Sequence, residues 1–422
     1  MSDTNTGSAA NRRVVITGIG MVSPLGLSAD TTWNGLINGT NGIENITLFD
    51  ASMLETQFGG EVKNFEPTDF INRKDVRRMD RFAQLAVAAA RQAVESAGFD
   101  CEARGEETGV IIGSGIGGLT TMFEQTKIFL DKGPNRITPF LIPMMISDMG
   151  AAQVSIALGL KGPNFCTTSA CSSGSDAIGV AFENIKQGRT DAMLAGGAEC
   201  GMNPLAFAAF NALNALSTAN EDPHHASRPF DADRTGFVMS EGAAVLVLEE
   251  LSIALTRGAD IIAEVLGYGA SGDAFHITQP IESGEGAARA MVMAFKRAGI
   301  EPNEIDYVNA HGTSTQLNDK METRAIKTVL GDHAYKVAVS STKSMLGHLI
   351  GAAGATEAAI CALTIKNGII PPTINYTTPD PDCDLDYVPN TARKAEVRTT
   401  LSNSFGFGGH NSVLILRQYS EG

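Results

Sequence analysis

Cys171 is the residue best placed for covalent chemistry in this sequence of 422 residues. It lies in the run 167–174, after an extended segment at 164–168 and at the start of a helix that the apolar spacing predicts over 172–188. A thiol at a helix N-terminus faces unpaired backbone N–H groups and the positive end of the helix dipole, and both favour the thiolate. The segment therefore predicts a nucleophile that carries an acyl group. Taken alone, it is equally consistent with a small buried cysteine in a tight turn.

Two further loops each place a histidine after a predicted strand. Residues 309–315 contain His311, and residues 341–348 contain Lys343 and His348. Open α/β sheets assemble their sites at the carboxyl ends of strands, which is where these loops begin. A lone histidine is usually a satisfied core or surface residue. Two histidines, a lysine and a cysteine at strand ends, all among small residues, indicate one shared site instead.

Two glycine-rich segments resemble dinucleotide-binding motifs, but each lacks part of the pattern. Residues 113–118 fit G-x-G-x-x-G after a strand, yet no acidic residue ends a strand about 20 positions further on. Residues 18–20 run into Ser23 and Pro24, which disfavours a helix start. A nicotinamide site is therefore not expected. The remaining histidines also lack the spacing of zinc ligands; they are His224, His225, His276, His333 and His410.

The composition describes a compact α/β protein, with 43% hydrophobic residues and 45 glycines. A net charge of −15 argues against nonspecific nucleic-acid binding, whereas one local basic patch would suffice to dock an acidic partner. Six cysteines without paired spacing favour a reducing compartment. Residues 1–11 resemble a loose tail without the apolar core of a signal peptide, and Glu357 within 349–365 favours a buried helix over a membrane span. We expect a cytoplasmic enzyme, or its processed plastid counterpart, with no membrane partner.

Short apolar runs alternate with helical patterns along the whole chain. In the first part we predict strands at 13–16, 109–112, 192–195 and 243–248, and helices at 80–98 and 172–188. In the second part we predict strands at 261–265, 307–310, 337–340 and 413–416, and helices at 285–298, 321–330 and 349–366. Apolar strands separated by helices indicate sheets covered on both faces. The two stretches of similar pattern suggest a duplicated α/β unit with halves 1–260 and 261–422.

A set of ordered motifs gives the chain a specific resemblance. Beside the cysteine turn and the two histidine loops, the motifs are GGAE at 196–199, SRPFD at 227–231, GFV at 236–238, EGA at 241–243, PPTIN at 371–375 and NSFGFGG at 403–409. Between residues 13 and 416 the sequence resembles the elongating β-ketoacyl-acyl-carrier-protein synthases, most closely those of the synthase II type. The resemblance implies a thiolase-like fold of two similar halves in five layers, α-β-α-β-α, and a homodimer.

The resemblance also implies a reaction, the decarboxylative Claisen condensation of type II fatty-acid elongation. An acyl group would pass from the phosphopantetheine of an acyl-carrier protein to Cys171. Malonyl-acyl-carrier protein would then lose carbon dioxide and attack the thioester to give 3-oxoacyl-acyl-carrier protein. Neutral His311 and His348 would donate hydrogen bonds to the developing enolate oxygen. Synthase III enzymes differ here, because asparagine takes the place of the second histidine.

Supporting roles follow from the same resemblance. Lys343 would hold His348 by charge and hydrogen bonding and would have Glu322 as its ion-pair partner. The backbone N–H groups of Cys171 and Phe407 would bind the acyl carbonyl oxygen, and the glycines around Phe407 would let its ring act as a gate. Thr313 and Thr315 would bond the phosphopantetheine arm.

The remaining implied contacts concern the acyl pocket and a cation. Ile116 would line the acyl pocket at the dimer interface, and Phe405 would contact the substrate. No cofactor is required. A structural Na⁺ or K⁺ would be held by oxygen ligands from Asn309, Ala310, Glu357, Ser402 and Asn403.

Several departures and alternatives stay open at this point. The sequence departs from many members of the family at three positions. Ser169 replaces Thr, Ser172 replaces Ala or Thr, and Gln316 replaces Pro. These changes bear on fine specificity and not on the class of reaction. A type II polyketide ketosynthase would perform the same chemistry on other chains. The noncatalytic chain-length factor lacks the cysteine, so Cys171 argues against that role. Degradative thiolases have a second cysteine near the C-terminus, and none follows Cys383 here.

Overall fold

The computed structural model describes residues 12–421, so the loose tail predicted for residues 1–11 lies outside the described residues. The strands are β1 Val14–Val22, β2 Glu44–Asn45, β3 Phe58–Gly59, β4 Thr108–Gly113, β5 Asn164–Phe165, β6 Ala192–Cys200, β7 Glu241–Glu250, β8 Ala263–Gly272, β9 Tyr307–Asn309, β10 Ala338–Ser340, β11 Ile369–Ile370, β12 Arg393–Lys394, β13 Thr399–Gly406 and β14 His410–Arg417. The helices are α1 Ala29–Ile37, α2 Arg73–Val76, α3 Arg81–Ala97, α4 Cys101–Arg104, α5 Leu119–Lys132, α6 Leu141–Met145, α7 Met149–Leu158, α8 Ser173–Lys186, α9 Pro204–Ala212, α10 Leu251–Thr256, α11 Glu285–Ala298, α12 Gln316–Leu330, α13 Lys343–Leu346 and α14 Ala353–Asn367.

The main sheet contains two sets of strands with the same topology. Its spatial order is β10-β9-β13-β14-β8-β1-β7-β6-β4-β5. One set contains β1, β4, β5, β6 and β7, and the other contains β8, β9, β10, β13 and β14. When the five strands of a set are numbered in chain order, both sets run third, second, fourth, fifth, first from the outer edge of the sheet inward. Strand directions match as well, because β9 and β4 are parallel to both of their neighbours and the inner pairs are antiparallel. This repetition supports a division of the chain near residue 260, which stays a prediction.

The two sets are joined by a short pairing, and helices fill the space between them. Strand β1 pairs with β8 over three residue pairs. Helix α8 packs on β6, β4 and β8, and α14 packs on β13, β14 and β7, so both helices contact both sets. Helix α3 covers the first set and α11 covers the second. Three apolar cores alternate with two sheet layers. The predicted five-layer thiolase-like α/β fold is confirmed.

Helices α8 and α14 follow from their residue patterns and bring two loops together. Helix α8 buries Ile178, Phe182 and Ile185 on one face, as its spacing predicts. Every residue of α14 from 353 to 365 is buried, which explains its small, apolar sequence.

Among residues 12–421, no helix combines the length and the apolar character that crossing a membrane requires.

Two sequence interpretations change in the structure. Gly18 and Gly20 do not end a strand but lie inside β1, where α3 comes so close that a Cβ on Gly20 would be 1.9 Å from the carbonyl oxygen of Ala89. The segment 403–409 is not wholly a loop, because β13 continues to Gly406 before the turn into β14. Both errors arise because glycine weakens a strand pattern without preventing strand pairing.

Candidate active site

Cys171 lies in a single 3₁₀ turn, Ala170–Ser172, directly before α8 begins at Ser173. Ala170 takes a left-handed conformation with φ of 52°, which turns the chain sharply at the residue before the thiol. Hydroxyl groups fix the turn: Ser172 Oγ donates to the carbonyl of Ser169 at 2.7 Å, and Ser173 Oγ donates to that of Ala170 at 2.6 Å. The structure places the Cys171 thiol at the N-terminus of α8, as the sequence predicts.

Both histidine loops reach the same point as the cysteine. His311 follows β9, and His348 follows α13. Cys171 Sγ and one ring nitrogen of each histidine all lie within 4.8 Å of one another. The two rings meet edge to face with centroids 5.3 Å apart. His311 and His348 are buried, while Cys171 stays partly accessible. The structure therefore brings together the three residues that the sequence analysis assigned to one site.

Hydrogen bonds fix which nitrogen of each imidazole carries the proton. Nδ1 of His348 accepts a bond from the backbone N–H of Ile350 at 3.2 Å, so its proton must be on Nε2. Nδ1 of His311 lies 3.3 Å from the ammonium nitrogen of Lys343, which is a donor only. Each ring therefore keeps an Nε2–H group free to donate to a ligand.

Burial sets the charge of the three reacting groups. It lowers the pKa of His311 and His348 well below the ordinary value, and the nearby Lys343 ammonium lowers both further. The imidazoles are therefore neutral near pH 7. Burial also raises the pKa of the Cys171 thiol to about 12, although Lys343 and the backbone N–H of Phe407 oppose this shift. The helix N-terminus favours the thiolate, whereas desolvation of the sulfur favours the thiol.

The contacts of Lys343 differ from those expected. Its ammonium group forms an ion pair with Glu357 and donates to the carbonyl oxygen of His311 at 2.6 Å. It holds His311, not His348. Glu322 is not its partner, because that carboxylate accepts the backbone N–H groups of His311 at 2.8 Å and Gly312 at 2.7 Å. The correction follows from α14, which places Glu357 beside α13, whereas α12 places Glu322 beneath the His311 loop.

Aromatic rings form one wall of the site, and two of them had no assigned role. Phe405 packs against His311 with ring centroids 5.7 Å apart, and Phe407 lies 6.2 Å from Phe210 of α9. Phe237 bridges the set, at 5.4 Å from Phe210 and 5.3 Å from His348. Phe237 belongs to a motif that the sequence analysis quoted, but α9 carried no signal that linked Phe210 to the site.

The predicted threonines lie on the His311 loop. The hydroxyl oxygens of Thr313 and Thr315 are 2.9 Å apart, and Thr315 also caps α12 by accepting the N–H of Asn318. Thr313 is buried and Thr315 is half-buried. The loop thus carries two hydroxyl groups within four residues of His311.

The predicted cation residues form a buried cluster of unsatisfied oxygens. Ser402 pairs with Asn309 across the β13–β9 ladder, and Ala310 follows directly. Buried atoms without a hydrogen-bond partner include Asn309 Oδ1, Glu357 Oε2, Ser402 Oγ and Asn403 Oδ1. Burial raises the pKa of Glu357 to about 7, and Lys343 opposes that shift. Such oxygens fit a hard monovalent cation.

The distances at the Cys171, His311 and His348 centre are also short enough for a metal ion. A zinc ion would use the same sulfur and ring nitrogens. The Lys343 ammonium beside His311 opposes a dication there, because it already acts electrostatically on all three groups.

The glycine-rich loop at 113–118 binds a carboxylate of the protein itself, unlike the dinucleotide-binding motif that it resembles. The N–H groups of Gly115 and Ile116 donate to the carboxylate of Glu199 at 2.6 and 3.3 Å, instead of facing a phosphate. Ile116 is half-buried and packs on the apolar core beneath α3. The sequence analysis quoted Glu199 within a motif but gave it no role.

Comparisons with known proteins agree over nearly the whole chain. Two family models match, the β-ketoacyl synthase N-terminal domain at residues 11–254 and the C-terminal domain at residues 262–377. The chain is 53% identical over 409 residues to 3-oxoacyl-[acyl-carrier-protein] synthase 2 of Synechocystis sp., covering 97% of this chain and 98% of that protein. It is 51% identical over 410 residues to the enzyme of the same name from Staphylococcus aureus strain COL, covering 97% and 99%.

Solved structures lead to the same group of proteins. The ishigamide ketosynthase/chain length factor superimposes with a TM-score of 0.92 at 40% identity, and a β-ketoacyl synthase from Burkholderia phymatum with 0.90 at 40%. A type II polyketide ketosynthase in complex with its acyl-carrier protein gives 0.89 at 36%. Each comparison covers 97% of this chain and 100% of the solved one. From the paired domain models, the identity over almost the full length and the shared architecture, it follows that this chain belongs to the β-ketoacyl synthase family.

Proposed function

We propose that this chain is a 3-oxoacyl-acyl-carrier-protein synthase that elongates fatty acyl chains by decarboxylative Claisen condensation. The observation that carries the proposal is the buried centre in which one thiol and two neutral imidazoles lie within 4.8 Å. Each imidazole has a free Nε2–H group that can donate to a developing negative charge. Such a centre suits a reaction that creates an enolate by loss of carbon dioxide.

In the first half-reaction, Cys171 Sγ attacks the acyl thioester carbonyl. The new Sγ–C bond forms, the bond to the phosphopantetheine sulfur breaks, and the thiol proton moves to the leaving sulfur. The backbone N–H of Phe407, which already faces Cys171 Sγ, and that of Cys171 itself stabilise the oxyanion. Because burial raises the pKa of the Cys171 thiol to about 12, deprotonation accompanies attack.

In the second half-reaction, the malonyl thioester loses its carboxylate as carbon dioxide. The electron pair of that C–C bond moves onto the α-carbon and the thioester oxygen, where the Nε2–H groups of His311 and His348 donate to the enolate. The α-carbon then attacks the acyl-Cys171 carbonyl, and the Sγ–C bond breaks. The sulfur leaves as a thiolate and takes up one proton from solvent, so the thiol is restored.

The test uses two variants of the nucleophile and mass spectrometry of the products. Wild type with acyl- and malonyl-carrier protein should yield 3-oxoacyl-carrier protein with two added carbons and a transient acyl group on Cys171. Cys171→Ala should lose acyl transfer, whereas Cys171→Gln should keep malonyl decarboxylation without condensation. Acyl label on another residue, or no condensation by wild type, would overturn the proposal.

A type II polyketide ketosynthase is the second candidate. One structural neighbour at 36% identity is a type II polyketide ketosynthase, while the curated relatives at 53% and 51% are named 3-oxoacyl-[acyl-carrier-protein] synthase 2. The product separates the two functions. A single condensation on a saturated acyl carrier supports elongation, and repeated condensation on an unreduced 3-oxoacyl carrier supports the alternative.

The partner that delivers the substrate would be an acyl-carrier protein. One structural neighbour was solved as a ketosynthase bound to its acyl-carrier protein. In this chain, Arg73, Lys74, Arg77 and Arg78 are exposed and line a shallow cavity beside Phe140. We name these four residues the basic cluster. Positive charge on a chain of net charge −15 suits an acidic partner.

We also propose that the enzyme is a homodimer, built on the face around β5. Large apolar side chains are exposed there: Phe129 at 51%, Ile142 at 60%, Ile156 at 73% and Phe165 at 38%. Strand β5 forms an edge of the main sheet, and both its residues are exposed. Uncovered edge strands and apolar patches are typical of interfaces. Analytical ultracentrifugation should give twice the chain mass of 44.3 kDa.

A monovalent cation would complete the cluster of Asn309, Ala310, Glu357, Ser402 and Asn403. The cluster presents unsatisfied buried oxygens beside a carboxylate. A cation would supply charge that orders the loops after β9 and β13, with no part in the chemical steps. Thermal unfolding should occur at higher temperature in K⁺ or Na⁺ than in tetramethylammonium, and this difference should be lost in Asn309→Ala.

A further inference from the structure

Glu199 is a fully buried carboxylate that the reaction steps do not use. It is the second-last residue of β6. Its oxygens accept five donors: Ser114 Oγ at 2.9 Å and the N–H groups of Gly115 at 2.6 Å, Ile116 at 3.3 Å, Gly117 at 3.3 Å and Gly351 at 3.1 Å. Within residues 12–421 no lysine or arginine forms a salt bridge with it.

The five donors come from two segments that serve different halves of the reaction. Four belong to the loop at 114–117, which carries Ile116. The fifth, Gly351, lies in the turn Ile350–Ala352, and the N–H of Ile350 in that turn bonds Nδ1 of His348. One carboxylate therefore ties the loop beside Ile116 to the turn that orients a catalytic imidazole.

Only the ionised carboxylate satisfies this arrangement. Both oxygens face donors, so a proton or an amide NH₂ group at either oxygen would oppose another N–H group. Burial raises the pKa of Glu199 to about 7, while the donors from Gly115, Ser114, Gly351 and Ile116 oppose the shift. Without them a buried carboxylate would be strongly unfavourable, so the anion and its two segments depend on one another.

The close approach also explains two glycines. A Cβ on Gly351 would lie 2.3 Å from the backbone nitrogen of Gly115 and 2.6 Å from Oε2 of Glu199, and a Cβ on Gly115 would lie 3.1 Å from the same oxygen. Any other residue at position 351 would push the turn away from both the loop and the carboxylate. The separation between loop and turn is thus set by their direct backbone contact and by their shared contact with one oxygen atom, which leaves little freedom for either segment.

We propose that Glu199 is a positioning residue that sets the 114–117 loop and the imidazole of His348 relative to each other, so that both acyl-chain selectivity and malonyl decarboxylation depend on it. The inference rests on the proposed function and deepens it. Glu199 touches no reacting atom; it acts through the loop on the acyl group and through the turn on the enolate.

The experiment compares Glu199→Gln with Glu241→Gln. Glu241 is a matched control because it is also buried, lies opposite Cys200 on the neighbouring strand β7 and contacts neither segment. Two quantities are measured: the ratio of kcat/KM for a long and a short acyl-carrier protein, and the rate of malonyl decarboxylation per folded enzyme. The ratio does not depend on the amount of folded enzyme, so general destabilisation leaves it unchanged.

In Glu199→Gln we expect the selectivity ratio to change by about tenfold and decarboxylation to slow by about tenfold or more, which corresponds to the loss of a hydrogen bond to a charged group. Glu241→Gln should keep the wild-type ratio. If Glu199→Gln keeps both the ratio and the decarboxylation rate within twofold of wild type, Glu199 is only structural and the inference is wrong.

Two milder variants keep the test informative if Glu199→Gln does not fold. Ser114→Ala removes a donor on the loop side and should alter the selectivity ratio with little effect on decarboxylation. Gly351→Ala crowds the carboxylate and the backbone of Gly115 together, so it should slow decarboxylation and also alter the selectivity ratio. If Ser114→Ala slowed decarboxylation as much as Gly351→Ala, the assignment of the loop to acyl-chain selectivity and of the turn to decarboxylation would be wrong. Failure of the proposed function would show differently, as absence of condensation by wild type.

Discussion

At the scale of single residues, Lys343 controls the charge of the reacting groups. Its ammonium lies 3.3 Å from Nδ1 of His311 and is paired with Glu357, so a buried positive charge stands beside two imidazoles that must donate in neutral form. Together with burial, that charge holds the pKa of both histidines well below the ordinary value. The neutral forms therefore persist as pH falls below neutrality.

This arrangement predicts the effect of Lys343→Met on pH dependence. Removing the ammonium raises the pKa of His311 and His348, so both imidazoles become protonated at higher pH. The acidic side of the pH–rate profile for decarboxylation should therefore shift to higher pH. The measurement is malonyl decarboxylation against pH in the Cys171→Gln background, where acyl transfer does not interfere. Lys343→Arg keeps the charge and serves as the control. An unchanged acid limb in Lys343→Met would contradict the role given to the ammonium group.

A second residue-scale prediction concerns the histidines themselves. His348→Ala removes one of the two N–H donors to the enolate, and removal of such a donor costs roughly 100- to 1,000-fold in rate. Decarboxylation should fall by that order, whereas acylation of Cys171 should change much less, because its oxyanion is bound by backbone N–H groups. Single-turnover assays of the two half-reactions measure this difference. Equal losses in both half-reactions would show that the imidazole has another role.

Sequence reasoning located single residues better than their contacts. Cys171, His311 and His348 were found because a strand end or a helix start can be recognised from nearby residues. The partner of Lys343 was wrong, since the choice between Glu322 and Glu357 depends on how α12 and α14 pack, which no local pattern encodes. The burial that opposes ionisation of Cys171 was not foreseen for a similar reason, because distant chain segments decide how deeply a sulfur is buried.

At the scale of elements, α8 and α14 position the site by packing very closely. Each follows one of the reacting loops, and small residues let their backbones approach: a Cβ on Gly354 would lie 2.2 Å from Ser175 Oγ and 2.8 Å from Ser175 N. Larger side chains at this contact would separate the thiol from the imidazoles. The helix pair therefore acts as the frame of the active centre.

The packing predicts that Gly354→Ala destabilises the protein by about 2 kcal/mol, as overpacking of a core usually does, and lowers kcat as well. Gly35→Ala is the matched control in helix α1, because its nearest new neighbour is the flexible side chain of Leu25 at 3.2 Å. Urea unfolding and the condensation assay measure the two effects. Equal stability of the two variants would mean that α8 and α14 have room to adjust.

Elements with strong apolar patterns were predicted well, and a buried strand of polar residues was not. The predicted helix 285–298 matches α11 to the residue, and 80–98 differs from α3 by one residue at each end. Strand β13 was missed, since its polar sequence, TTLSNSFG, has no alternation although all but the last residue are buried. Asn403 Nδ2 donates to Glu322 and Ser404 Oγ bonds Ser175 Oγ, contacts with distant segments that a sequence pattern does not show.

At the scale of the whole molecule, charge is distributed unevenly. The chain carries −15 overall, so an acidic carrier protein is repelled by most of the surface and must be attracted locally. The basic cluster of Arg73, Lys74, Arg77 and Arg78 supplies that attraction in the proposed complex. The sequence left room for a local basic patch, and all four residues lie between positions 73 and 78, but their exposure on one surface became clear only in the structure.

Reversing charge in this cluster should therefore weaken substrate delivery. Arg77→Glu is expected to raise KM for acyl-carrier protein several-fold, through slower association, with kcat little changed. Lys296→Glu, an exposed lysine on α11, provides the same charge change elsewhere. Kinetics at two ionic strengths measure the effect, and the difference should shrink at high salt. If both variants raise KM equally, docking occurs on another surface.

The two sets of strands in one chain contribute different groups to the same active centre, so mixtures of inactive variants should not regain activity. Cys171 comes from one half of a chain and both imidazoles from the other half of that same chain, meeting at the seam beside α8 and α14. Each active centre is thus completed in cis. If the enzyme is the homodimer proposed above, subunit exchange between Cys171→Ala and His311→Ala chains should produce heterodimers that remain inert, because the thiol and both imidazoles of a centre come from the same chain.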